Sequence, residues 1–141
     1  MIRFFNEETD FKLPQKLEIK NWLNNIAKKE AKRLGEINYI FCNDEYLLDI
    51  NKQYLDHDYY TDIITFDNTE LGLNLLEGEM YISIDRVTDN AKNNNQLFDN
   101  ELKRVLAHGI LHLAGYKDKT EEDEKIMRAK EDFYLEAWQE N

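Results

Sequence analysis

Two of the three histidines in the chain stand four residues apart, in the segment HGILH that runs from His108 to His112. On an α-helix four residues turn through about 400°, so both imidazoles leave the same face. Gly115 follows His112 by three residues and suits a helix stop, and Asp118 comes three residues later. The spacing H-x3-H-x5-D can bring two imidazoles and one carboxylate to a single point. Three protein donors with a fourth position open is the arrangement of a catalytic zinc, whereas structural zinc sites are closed by four. The expectation is one divalent ion per chain, zinc given the imidazoles, held by His108, His112 and Asp118. A histidine pair alone fits two solvated helix residues equally well. The glycine stop and the carboxylate beyond it tip the reading to a metal.

At its ligand and glycine positions the segment is similar to the metzincin protease pattern H-E-x-x-H-x-x-G-x-x-H. Gly109 stands where that pattern has the general base, and a glycine cannot take a proton from water. No other carboxylate is expected on the same helix face near His108. A metallopeptidase is thus an alternative that Gly109 opposes.

These residues need a scaffold. Residues 2–5 read as a short strand. Pro14 suits the first turn of a helix, where its missing N–H is harmless. Ile19, Trp22, Leu23, Ile26 and Ala27 then follow helical spacing, with Gly35 as the stop. Residues 37–41, 62–66 and 80–84 read as strands, and 71–78 as a loop or hairpin arm. Asn43 and Asp44 can cap a helix to about Tyr54, Asp85 one over 86–95, and Asp99 a longer one carrying HGILH. In that helix Leu102, Val105, Leu106, Gly109, Ile110 and Leu113 share a stripe. Thr120 opens a last helix that carries Ile126, Met127, Phe133 and Trp138. Strict β-α-β alternation is absent. The expected class is α+β, a small mixed sheet packed with helices.

With 141 residues the chain has the length of one domain, taken as 1–141. A hydrophobic fraction of 42% argues against disorder. Eighteen basic against 29 acidic residues give a net charge of −11. Such a chain is no general binder of nucleic acid or anionic membrane, so any RNA contact must be local or carried by a metal. The single cysteine, Cys42, excludes an internal disulfide and fits a reducing compartment. No apolar run approaches about 20 residues and no signal-peptide pattern opens the chain, so a cytoplasmic protein without a membrane partner is expected.

Three segments extend the reading: INKQYLDHDYYTDIITFD from Ile50, GEMYISID from Gly78, and HGILHLAGYKD from His108. Together they resemble the YbeY family of bacterial rRNA maturation factors. The family's segments run L-N-x-x-Y-R-x-x-D-x-P-T-D-V-L-S-F, G-D-I-x-I-S and H-G-x-L-H-L-x-G-Y-D-H. The match takes in Asn51, Tyr54, Asp58, Thr61, Asp62, Phe66, Gly78, Ile82 and Ser83. It continues through His108, Gly109, Leu111, His112, Leu113, Gly115 and Tyr116. Three positions depart from it. Leu55 replaces an arginine, Tyr60 a proline, and Asp118 the third metal histidine. Asp118 can still be a ligand, but Leu55 can neither bind phosphate nor stabilise an anion.

The resemblance implies a metal-dependent, single-strand-specific endoribonuclease of rRNA maturation, acting at the 3′ end of small-subunit rRNA. Its partners would be single-stranded RNA and the ribosome or its small subunit, not DNA. It also implies a small mixed sheet with the HGxLH helix packed against it and the metal at the end of a cleft. The acidic balance favours delivery of the RNA by a ribosomal partner. A second alternative is a non-catalytic ribosome-assembly protein whose metal only fastens the helix to its following turn; Leu55 favours it.

Further candidates surround the metal frame. His57 and Asp62 are candidate catalytic groups, although a histidine in a polar stretch is ordinarily a solvated loop residue. Thr61, Thr65 and Ser83 are candidate substrate contacts. Turn capping explains Thr61 and Asp62 equally well, and backbone-bonded hydroxyls at the core edge explain Thr65 and Ser83. Lys103, Arg104, Lys117 and Lys119 could supply positive charge near the metal, or be solvated faces. Trp22 and Trp138 sit at helical core spacing.

Overall fold

In the computed structural model, which describes residues 1–70 and 72–139, the β-branched and aromatic runs become strands. They alternate with helices in the order β1 (Ile2–Asn6), α1 (Lys16–Lys29), β2 (Arg33–Cys42), α2 (Asp44–Leu55), β3 (Ile63–Asp67), β4 (Leu75–Ser83), α3 (Ile84–Asn93), α4 (Phe98–Leu113) and α5 (Glu121–Gln139). The strands form one sheet in the order β1-β2-β4-β3. β1 and β4 run parallel to β2, and β3 runs antiparallel to β4. The class is α+β with a mixed sheet, as the pattern of elements implied.

The two sheet faces differ in size. Ile37, Tyr39 and Phe41 of β2 and Leu76, Met80 and Ile82 of β4 join Leu23, Ile26, Leu106 and Ile110 in the main core. A smaller cluster of Cys42, Leu47, Ile50 and Ile64 lies on the other side, packed with Tyr46, Phe66 and Tyr81. Burial there, with Asp44, Asp85 and Glu7 nearby, pushes the Cys42 thiol up to about 12, so it behaves as a small apolar residue. α4 is buried on more than one stripe, Ala107 and Leu111 included, because it lies between the sheet and α5. The Tyr39 hydroxyl donates to the Leu106 carbonyl at 2.7 Å and ties α4 to β2.

Several local signals play other roles than expected. Gly35 does not end α1. The helix stops at Lys29, and Ala31 takes the left-handed turn with φ 62°. The Ala31 and Lys32 N–H groups donate back to the Lys28 and Ala27 carbonyls. Gly35 instead lies in β2, where the register with β4 shifts and an added Cβ would come within 2.8 Å of the Glu77 side chain. Pro14 precedes the helix rather than sitting in its first turn. Residues 75–78 belong to β4, and Leu71 of the expected loop lies outside the described residues.

Two caps also move. α3 is capped by Ser83, whose hydroxyl accepts from the Arg86 N–H at 3.1 Å, while Asp85 in the first turn accepts from the Asp44 N–H at 3.0 Å. α4 starts at Phe98 without a side-chain cap, leaving Asp99 in the first turn, where its charge suits the helix dipole. On α5 the buried stripe is Met127, Glu131 and Tyr134; Ile126 and Phe133 are exposed.

Candidate active site

The end of α4 sets the geometry. Gly115 has φ +113°, a value that L side chains rarely adopt. The Gly115 N–H donates to the His112 carbonyl and the Tyr116 N–H to the Leu111 carbonyl, both at 3.1 Å. This αL stop reverses the chain. Asp118 comes back to His108, its Oδ2 lying 3.3 Å from Nε2. The other ring nitrogen, Nδ1, lies 2.8 Å from Oε2 of Glu131 on α5. A carboxylate only accepts, so Nδ1 carries the proton and Nε2 faces Asp118. Glu131, 5% exposed, also accepts from Arg104 Nη1 at 3.0 Å, and Arg104 Nη2 donates to Asp132 at 2.7 Å. His112, one helical turn beyond His108, is half-buried on the same cleft wall.

Two of these donors, His108 and Asp118, are spaced as neighbouring ligands of a divalent ion would be. With bonds of roughly 2.0–2.1 Å and tetrahedral angles, neighbouring ligand atoms lie about 3.3–3.4 Å apart. The 3.3 Å between His108 Nε2 and Asp118 Oδ2 equals such an edge. A carboxylate behind the ring, as Glu131 is, is the usual support of a ligating histidine. Among the described residues, no group of three or more such donors is drawn tight; the third arm, His112, remains at the cleft wall.

The cleft measures about 990 Å³ and runs between residues 55–65, α4 and the first half of α5. Thr61, Asp62 and Thr65 line it, as does Leu55. Burial pushes the Asp62 carboxyl above its ordinary range against the opposing pull of His108 and backbone N–H groups. Burial also disfavours charge on His108, but the Glu131 hydrogen bond and charge, with Asp118 and Asp62, outweigh it and raise its affinity for a proton.

No other carboxylate is expected from the sequence on the helix face near His108, but the structure places one there. Glu101, two turns earlier on the same face and 6% exposed, lines the cleft, and burial raises its carboxyl too, against Arg104. Gly109 faces the other way. An added Cβ would lie 3.0 Å from Cγ of the buried Met80 and 3.3 Å from Cδ1 of Ile63, and Gly109 itself is not among the residues that line the cleft.

Other candidates separate clearly. Ser83 does not line the cleft. It is fully buried, and its hydroxyl donates to Asp44 Oδ1 at 2.7 Å besides capping α3. His57 lies at the cleft mouth, exposed, with its ring stacked on Tyr59. Arg104 enters the cleft lining, whereas the Lys103 amine sits 4.3 Å above the Trp138 ring. Lys117 and Lys119 are exposed. Glu131, Glu101 and Tyr59 escaped the sequence reading. For Glu131 a signal existed: a carboxylate at i+4 from Met127 and i−3 from Tyr134, on an otherwise apolar stripe. Among the described residues no helix is long and apolar enough to cross a membrane.

Residues 3–139 match the family model described as Endoribonuclease YbeY. Endoribonuclease YbeY of Cytophaga hutchinsonii is 60% identical over 134 residues, 95% of this chain and 93% of that protein. Endoribonuclease YbeY of Flavobacterium johnsoniae is 55% identical over 128 residues, 91% of each. The solution structure of TM1509 from Thermotoga maritima superposes with a TM-score of 0.69 at 33% identity, covering 98% of this chain and 89% of that one. The motifs, the fold and these matches agree along nearly the whole length: the chain belongs to the YbeY endoribonuclease family.

Proposed function

We propose that this protein is a single-domain, cytoplasmic, metal-dependent endoribonuclease that cleaves single-stranded RNA during rRNA maturation, at the 3′ end of small-subunit rRNA. The ribosome or its small subunit is the partner that presents the RNA. The observation that carries the reading is the approach of His108 Nε2 and Asp118 Oδ2 to 3.3 Å in an open cleft whose wall His112 also lines. Zinc held by His108, His112 and Asp118 would polarise a phosphodiester oxygen and make water a stronger acid.

The chain's own groups supply the rest. Glu131 fixes the His108 ring so that Nε2 faces the cleft. Asp62 is the carboxyl suited to hold a proton during hydrolysis, because burial makes its neutral form accessible beside His108. Thr61 and Thr65 offer hydroxyls along the wall to ribose or phosphate oxygens. His57 is less suited to proton transfer, because its Nδ1 is engaged by the Tyr59 hydroxyl at 3.0 Å.

Elemental analysis combined with RNase assays of wild type and His112→Ala tests the reading. One zinc per chain and cleavage of single-stranded RNA are expected, with cleavage abolished by a chelator and by the substitution. A zinc-loaded protein that leaves single-stranded RNA intact would overturn it. If that protein also unfolds on chelation, the metal only fastens α4 to its turn, as in an assembly factor.

A further inference from the structure

The cleft mouth carries an aromatic pair that the metal chemistry does not use. The rings of His57 and Tyr59 stack with centroids 5.1 Å apart and planes 20° from parallel. The Tyr59 hydroxyl and His57 Nδ1 also lie within hydrogen-bond distance, 3.0 Å. Both residues line the same cleft as His108 and Asp118. One face of the Tyr59 ring is covered by His57, yet the residue is 56% exposed. The ring surface that His57 does not cover is therefore open to a ligand in the cleft. Leu55, 43% exposed, adds apolar surface to the lining of the same cleft.

The pair is held by the fold. Asn51, 1% exposed, donates from Nδ2 to the Tyr59 carbonyl at 2.9 Å, while its own carbonyl accepts from the His57 N–H at 3.1 Å. Asp56 takes the left-handed turn at the end of α2, φ 55°, that swings His57 and Tyr59 to the cleft. One buried residue therefore fixes both ends of a short aromatic loop, His57 through its main-chain carbonyl and Tyr59 through its side-chain amide.

Charge decides what this surface can bind. The chain carries −11, and Arg104 in the cleft is already paired with Glu131 and Asp132. The other cations lining the cleft, Lys125 and Arg128, both stand on the α5 wall, so phosphate contacts, the usual source of nucleic-acid affinity, are confined to that side. Stacking on a base face needs no cation and tolerates any base. We infer that the His57–Tyr59 pair is a stacking platform for one unpaired nucleobase of the RNA, placed to hold the strand while a neighbouring phosphodiester lies at His108 and Asp118. The inference rests on the endoribonuclease reading and adds the subsite that selects unpaired RNA, since a base in a duplex has no free face to offer.

The test uses the zinc-loaded protein and a short fluorescein-labelled 2′-O-methyl RNA single strand. An abasic residue is moved along the strand one position at a time. Wild type is expected to lose about 5- to 100-fold in affinity when the abasic residue reaches one position. Tyr59→Leu should weaken binding of the intact strand by a similar factor and no longer respond at that position. Its salt dependence and melting temperature should stay those of wild type, because no phosphate contact and no core contact is lost. Tyr59→Phe, which keeps the ring, should bind within about twofold of wild type. With cleavable RNA, Tyr59→Leu should raise KM and spare kcat. Wild-type affinity and KM in Tyr59→Leu, in an enzyme that still cleaves RNA, would overturn the platform and leave the endoribonuclease reading standing. Persistence of the abasic effect in Tyr59→Leu would overturn it as well. A zinc-loaded wild type that neither binds nor cleaves single strands would remove both.

Discussion

His108 is gripped from both sides, by Asp118 at Nε2 and Glu131 at Nδ1, and the two carboxylates reach it by different routes. His108, His112 and Asp118 fall within eleven residues on one helix and its turn. Local geometry therefore returns Asp118 to His108 and keeps His112 on the same cleft wall, and that much is readable from spacing alone. Glu131 arrives from a separate helix through tertiary packing, and no spacing rule relates it to His108. Its weight can be measured. Glu131→Gln keeps the volume and a hydrogen-bond acceptor but removes the charge that holds Nδ1 protonated. Zinc affinity is expected to fall about 10- to 100-fold, read by competition with a chromophoric chelator, with the circular dichroism spectrum unchanged. Unchanged zinc affinity would show that Glu131 merely balances Arg104. Ser83 illustrates the converse. A strand hydroxyl near a site is readable from sequence, but its commitment to Asp44 and to the cap of α3 is not.

Helix ends and close contacts decide how the elements meet. α1 and α4 stop in the same way, through a left-handed residue whose N–H bonds back into the last turn, but one uses Ala31 and the other Gly115. The sequence signal for a stop is glycine, so the end of α4 was legible and the end of α1 was assigned too far along, at Gly35. Alanine in the left-handed region is strained, glycine is not. Ala31→Gly should therefore stabilise the protein by about 0.5–1 kcal/mol, and Gly115→Ala should destabilise it by about 1–2 kcal/mol, both by urea denaturation. Opposite signs are the point of the pair; two losses would mean that side-chain contacts of Ala31 matter more than its backbone.

Gly109 is a different kind of glycine, one set by the approach of α4 to Met80 and Ile63. Gly109→Glu, which restores the protease-like sequence, would drive a carboxylate into the core instead of the cleft. A loss above about 3 kcal/mol, with no peptidase activity gained, is expected from denaturation and peptide-turnover assays. A folded variant that cleaves peptides would refute the orientation assigned to this position.

Across the whole molecule, the periodic signals marked the sheet and the helices of the described residues, because burial of one face per element is local information. The joints between elements are where the sequence stays silent, and Glu30 is the clearest of them. It ends α1 and gathers hydrogen bonds from Tyr116 beyond α4 and from Lys130 and Tyr134 on α5, partners 86, 100 and 104 residues away. Burial alone would raise its carboxyl, but the bonds from Tyr134, Tyr116 and Lys130, with the Lys130 charge, outweigh it and hold the carboxyl below its ordinary 4.5. A depressed folded value means that the unfolded chain takes up the proton first as pH falls. The stabilisation is then complete above about 4.5 and drains away as pH drops through the lower folded value. Glu30→Gln removes this linkage while keeping the side chain's size. Near neutral pH the variant should be less stable by about 1–3 kcal/mol, the range of charge-assisted hydrogen bonds. The gap between variant and wild type should narrow as pH falls below about 4.5, since protonation then does to wild type what the substitution did. Asp44, Asp62 and Glu101 are common to both proteins and cancel in the difference. Urea denaturation of the two proteins side by side from pH 7 to pH 3 measures it. A gap that stays constant or widens toward acid would show that Glu30 joins α1, α5 and the turn after α4 by shape and not by its charge.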